Sequence, residues 1–168
     1  MNLEFPYQLT AFIDNEPVLG ESVYYGKNGW YPQIALKRRF KTVGINEDEL
    51  LIKLDQFCKQ TNSFSIKTKS LVQPDRMPVK VLEVEPTVEL MNFHLNLISF
   101  MGDNMISHYP DRDGINYFPH VTAEYNGKMV INDSLFSNKE IRIKKIFLLK
   151  DIDDENSQAH ASVELNQD

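Results

Sequence analysis

Two stretches of this 168-residue chain follow one pattern, and that repetition constrains the fold more than any other feature. Gly29-Trp30-Tyr31-Pro32-Gln33-Ile34-Ala35-Leu36 and Gly114-Ile115-Asn116-Tyr117-Phe118-Pro119-His120-Val121-Thr122-Ala123 share a glycine, an aromatic-proline pair, and then polar, apolar, small and apolar residues. Self-similarity at a distance marks an internally duplicated unit. Each copy runs into an alternation that reads as a strand, where side chains at i and i+2 project from one face. His120 and Thr122 therefore point together, and the same period groups Gln33, Ala35, Lys37 and Arg39. If two such strands meet across a cleft, His120 stands opposite Gln33, Thr122 offers a hydroxyl donor, and Lys37 or Arg39 supplies positive charge. That combination suits an anion.

The segments between and after the copies alternate between helix and strand. Asn46 with Glu49 forms a capping box for a helix whose apolar face is Leu50, Leu51, Leu54, Phe57 and Cys58, ending near Asn62. Strands are expected over 63–72 and 79–85, joined by a turn at Pro74-Asp75-Arg76-Met77-Pro78, where proline interrupts ladder donation. Thr87 caps a second helix carrying Leu90, Met91, His94, Leu97, Ile98 and Met101 near one face. After a polar loop to Gly114 come a strand over 120–125, a turn at Asn126-Gly127, and strands near 140–150 and 160–165. The expectation is one α+β domain over 1–168, built of two similar lobes. Each lobe is an antiparallel sheet backed by helix, with a central groove lined by 33–39 and 120–124.

Pro119-His120-Val121-Thr122-Ala123 resembles the second of the two His-x-Thr-x motifs of the two-histidine (2H) phosphoesterases, the group that includes the 2'-5' RNA ligase-like proteins. Residues 32–40 resemble the first motif, with Gln33 where that family has histidine and Ala35 where it has threonine. The resemblance implies pseudo-symmetric lobes facing each other across a groove. It also implies imidazoles acting as general acid and base on 2',3'-cyclic phosphate or 2'-5' phosphodiester bonds, threonines holding phosphate oxygens, and no metal or cofactor. The expected partner is an RNA end or a small nucleotide phosphoester.

Gln33 has no accessible pKa and cannot serve in either proton role, although its amide can donate to a phosphate oxygen. The residues leave three readings open. One is an enzyme working with His120 alone, the second is a protein that binds a nucleotide phosphate without turnover, and the third is a protein-interaction scaffold with a vestigial cleft.

Charge and composition narrow the partners. The net charge of −6 argues against duplex DNA, but six acidic residues and no Lys or Arg fall within 151–168, so the rest of the chain is balanced and a local basic stripe can still attract a phosphate. Apolar runs are too short for a membrane span, residues 1–12 lack a secretory pattern, and the one cysteine, Cys58, reads as a core residue. A cytoplasmic, reducing setting is therefore expected. His94 and His160 read as structural, and His108, Asp111 and Asp113 as a turn rather than a metal loop. Lys37, Arg38, Arg39 and Lys41 fit a solvated strand end as well as they fit a phosphate site. Trp30, Tyr31, Tyr117 and Phe118 fit the core better than base stacking. No glycine-rich phosphate loop and no Gly-x-Ser-x-Gly elbow is present.

Overall fold

A computed structural model describes residues 3–24, 30–75, 77–125, 127–153 and 156–167. The chain begins with β1 (Tyr7–Phe12) and β2 (Gln33–Thr42), followed by α1 (Glu47–Lys59), β3 (Phe64–Val72), β4 (Val81–Val84) and α2 (Val88–Met101). Next come β5 (Met105–Ser107), β6 (His120–Thr122), a short hairpin of β7 (Glu124–Tyr125) and β8 (Lys128–Met129), and the single turn α3 (Asp133–Phe136). Strands β9 (Glu140–Ile143), β10 (Lys145–Asp151) and β11 (Ser157–Glu164) complete it.

Both long helices start where their caps place them. The Asn46 side chain accepts from the Glu49 amide at 2.9 Å while the Glu49 carboxylate accepts from the Asn46 amide at 2.8 Å. Thr87 Oγ1 accepts from the Leu90 amide at 3.3 Å. Helix α1 stops at Lys59, short of Asn62, because the chain must turn into β3, and the Thr61 hydroxyl draws the last turn closed on the Phe57 carbonyl at 2.8 Å. The strand expected over 120–125 is broken after Thr122, and its continuation pairs instead with β8 in a separate two-stranded sheet. Gly127 adopts φ 74° at that turn, the left-handed region that glycine enters without steric cost. Gly29, Arg76 and Asn126, singled out above, lie outside the described residues.

The strands form an antiparallel nine-stranded sheet in the order β11-β10-β1-β2-β6-β4-β3-β9, with β5 added to β2. The order is balanced about its middle. Four strands lie on each side of the junction between β2 and β6, the two strands that carry the repeated motif, so the sheet has the two-lobed α+β form expected of the repeat. Helix α1 packs on β11, and α2 packs on β3 and β2. Both bury their apolar faces in one core that crosses the junction and contains Leu9, Ala11, Ile34, Leu36, Leu50, Leu54, Leu82, Leu90, Leu97, Val121, Ile146 and Leu148. Alternation sends the intervening residues to the opposite face, where Phe12, Val23, Tyr31, Phe147, Leu149 and Ala159 make a second, smaller core.

Candidate active site

The site is built on the β2–β6 junction. Ile34 pairs with Val121 in antiparallel register, and both are fully buried in the larger core. Their neighbours must face the other way. The same register sets Thr122 against Gln33 and His120 against Ala35, so the four positions of the two motifs share one face, related by a two-fold exchange through the Ile34–Val121 pair. The sequence period alone sets His120 directly opposite Gln33. In an antiparallel ladder pivoting on 34 and 121 the histidine position of each motif instead meets the threonine position of the other.

His120 is the titratable centre of this face. Its Nδ1 lies 2.9 Å from the Phe118 carbonyl oxygen, which only accepts, so Nδ1 carries the proton and Nε2 keeps its lone pair. Burial pushes the imidazolium down to about 4. The Phe118 hydrogen bond opposes that fall and the charge of Arg38 adds to it. At neutral pH His120 is therefore a neutral base with Nε2 free to take a proton. The Phe118 ring stacks on it at 5.3 Å, while the opposite register partner on β4 is Glu83.

Gln33 is 8% exposed and sits across from Phe12 on β1. Thr10 Oγ1 lies 2.7 Å from both Gln33 Oε1 and the Ile34 carbonyl, and Gln8 Nε2 lies 3.4 Å from Gln33 Oε1. Nε2 of Gln33 is buried without a partner. Thr10 has one proton to give. With the amide turned about, Nε2 donates to Thr10, Thr10 donates to Ile34, and Oε1 becomes the spare atom. In either orientation one polar atom of this buried amide is unpaired, a state costly enough to suggest a ligand or water partner.

The four cationic positions on β2 are sorted by two bulges. The pairing steps from Thr10–Ala35 to Leu9–Lys37 and again from Leu9–Lys37 to Tyr7–Phe40, each time with one extra residue on β2. The first bulge puts Leu36 and Lys37 together on the core side, and the second puts Arg38 and Arg39 together on the cleft side. Lys37, grouped by the sequence with Gln33, is accordingly 1% exposed and away from His120. Its Nζ lies 3.1 and 3.0 Å from the two Asp113 carboxylate oxygens and donates to Ser107 Oγ at 2.7 Å. Burial draws its ammonium down, against the pull of Asp113. Arg39 is on the expected face but is ion-paired with Asp151.

Arg38 is the residue the period of two missed. It lies near enough to His120 to lower its pKa, and its guanidinium carbon is 5.9 Å from the centroid of the Tyr109 ring. Arg112 approaches the same ring at 4.9 Å. Nothing in the spacing of the loop residues pointed to Tyr109 and Arg112.

Beneath the junction a buried clamp fixes the two strands. His94, 1% exposed, stacks on Tyr117 at 4.1 Å and 12°. Its Nδ1–H donates to the Leu36 carbonyl at 2.9 Å while Nε2 accepts from the Gly114 amide at 3.0 Å. Tyr117 OH donates to the Ala35 carbonyl at 2.9 Å. His94, taken from the sequence as structural, is thus a neutral two-way strut between α2, the bulge at Leu36 and the approach to β6. His160 is bonded to Glu47 at 2.7 Å, and Cys58 is buried, its thiol pushed up to about 12 chiefly by that burial. Among the described residues no group of three or more His, Cys, Asp or Glu side chains is placed to hold a metal ion, and no helix is long and apolar enough to cross a membrane.

The fold is a two-lobed α+β fold with the repeated strands at its midline. Three solved structures share it, each at 12% identity and each matched over 96% of this chain. They are a phosphoesterase (98% of that chain, TM-score 0.62), Escherichia coli LigT complexed with ATP (98%, 0.56) and TT0787 of Thermus thermophilus (99%, 0.54). No family model matches the sequence, and no curated protein matches it.

Proposed function

We propose that the cleft binds the phosphoester of a nucleotide or an RNA end, and that His120 is its single proton-transfer group, giving slow turnover of 2',3'-cyclic phosphate or 2'-5' phosphodiester bonds. The observation that carries this reading is the register at the junction, which gathers His120, Thr122, Gln33 and Ala35 on one face. Among the proteins sharing the fold, LigT is recorded with ATP, which supports a nucleotide as ligand here.

In hydrolysis His120 Nε2 takes a proton from water as the water oxygen forms its bond to phosphorus. The bond from phosphorus to the leaving ribose oxygen then breaks. That oxygen needs a proton, and in a two-histidine site the second imidazole gives it. Gln33 has none to give, so the leaving oxygen takes its proton from water, at a cost of about a hundred- to ten-thousand-fold in rate. Thr122 donates to a phosphate oxygen, and the spare amide atom of Gln33, when it is Nε2, does the same.

The test is hydrolysis of the four nucleoside 2',3'-cyclic phosphates at pH 6 to 8 by the wild type, His120→Ala and the double variant Gln33→His/Ala35→Thr. Slow turnover that disappears in His120→Ala and rises about a hundredfold or more in the double variant is the expected pattern. Turnover that survives in His120→Ala removes the mechanism. If no nucleotide is either turned over or bound, the cleft is not a phosphoester site.

A further inference from the structure

We infer that Arg38 and Arg112, gathered on the ring of Tyr109 beside the cleft, hold a second phosphate that does not react, so that the ligand is a nucleotide carrying a phosphate beyond the ester at His120. The inference rests on the phosphoester reading above and narrows the substrate class.

The first bulge of β2 puts Lys37 on the core side and so turns Arg38 to the cleft side, and the turn Pro110–Arg112 delivers Arg112 to the same ring. Neither guanidinium has a carboxylate partner among the described residues, whereas Lys37 and Arg39 on the same strand each have one. Burial, and then the like charge of Arg112, work against the charge on Arg38. Convergent cations without a counter-charge are unfavourable until an anion arrives, and a pair of planar guanidinium forks matches phosphate oxygens better than any other side-chain pair.

The two places suit one ligand that spans them. Ala35 marks the level of His120 on β2 and pairs with Thr10, and the bulges bring Arg38 and Arg39 opposite Gln8, two ladder steps further along, roughly 6–7 Å at about 3.3 Å per residue before the length of the arginine side chain. Tyr109, two residues past the Ser107–Phe40 pair, comes level with Arg38, so the arginine pair is displaced along the strand from His120 by a gap that a ribose can bridge. A 2',3'-cyclic nucleotide with a phosphate on its 5' oxygen, terminal or joined to a preceding nucleotide, presents its two groups in this relation.

The experiment compares adenosine 2',3'-cyclic phosphate with the same compound bearing a 5'-phosphate, by calorimetry on the full chain carrying His120→Ala to prevent turnover. Further proteins add Arg38→Gln, Arg112→Gln or, as a charge control on α1, Lys53→Gln. The 5'-phosphate should tighten binding about tenfold or more. That ratio should fall towards one in either arginine variant and persist in the Lys53 control. Equal binding of the two compounds overturns the proposal, as does a ratio that survives both arginine changes or is lost equally with Lys53→Gln. If neither compound binds, the phosphoester reading has failed, and inorganic pyrophosphate titrated into the wild type and Arg112→Gln decides the arginine pair alone. Binding lost in the variant keeps it as a phosphate site, and no binding, or binding unchanged in the variant, removes it.

Discussion

His120 and His94 are both neutral near pH 7 but for opposite purposes. His120 keeps an unengaged Nε2, whereas His94 spends both ring nitrogens on backbone groups. For His120 the depressed pKa sets the pH profile. The base form is present above about 4, so the hydrolytic rate at limiting substrate should climb through that pH and stay level from 5 to 8. A midpoint near 6.5, the ordinary imidazole value, would mean that the ring is solvated during catalysis. For His94 protonation would set two N–H groups against each other at Gly114, and burial already draws its pKa down. His94→Ala should cost about 2–4 kcal/mol by denaturant unfolding, because it deletes a stacked buried ring and strands two backbone groups. The pairing of His120 with Thr122 was legible from sequence because an i, i+2 spacing has one meaning in a strand. His94 was legible as structural only through its place on an apolar helix stripe, since the groups that bind it come from other elements.

Among the elements, β2 departs most from its sequence reading. An unbroken period of two would keep Lys37 with Gln33 and send Arg38 to the core. The extra residue at the first bulge reverses that, the one at the second restores the phase and keeps Arg39 on the cleft side, and nothing local in Leu36-Lys37-Arg38-Arg39 announces either. The first bulge is anchored from outside by His94 on the Leu36 carbonyl and by Asp113 on Lys37. The Lys37–Asp113 pair therefore serves the fold, and truncating Asp113 to Ala should destabilise by about 3 kcal/mol by leaving a buried ammonium unpaired. Lys37→Met with Asp113→Leu should recover most of that loss, an interaction measurable in a double-mutant cycle. The helices and the β3–β4 pair were readable because their signals are local: the capping box at Asn46 and Glu49, Thr87 after Pro86, and prolines between two apolar runs. Strand β1, unassigned from sequence, carries Tyr7, Leu9 and Ala11 in alternation, but its place between β2 and β10 is a matter of tertiary pairing.

For the molecule as a whole, linkage gives a stepped acid profile. His94 and His120 both have folded pKa values below the ordinary 6.5, so the unfolded chain binds protons that the native state refuses. Their contribution is present above about 6.5 and is lost as pH falls from there towards the folded values. At Glu47 burial opposes the charge, but hydrogen bonds from Lys150, Tyr7 and His160 outweigh it and hold the carboxylate at about 2, so its contribution is lost below about 4.5. Urea midpoints should be level from pH 7 to 8, fall below 6.5, and fall again below 4.5. The first fall should be much reduced when His94→Gln and His120→Ala are combined. A single featureless decline would contradict the lowered pKa values of the two rings.

The sheet's midline has a mechanical consequence. The strands that carry the two motifs meet in a single register pair, Ile34 with Val121, while every other neighbouring pair along the main sheet is stitched by several. The width of the groove is therefore held less by the backbone ladder than by the struts beneath it, His94 to Leu36 and Tyr117 to Ala35. A residue on the far side of the sheet from any ligand thus acts as the gauge block for the distance between the two motifs, and its repacking would retune that distance without touching the groove itself.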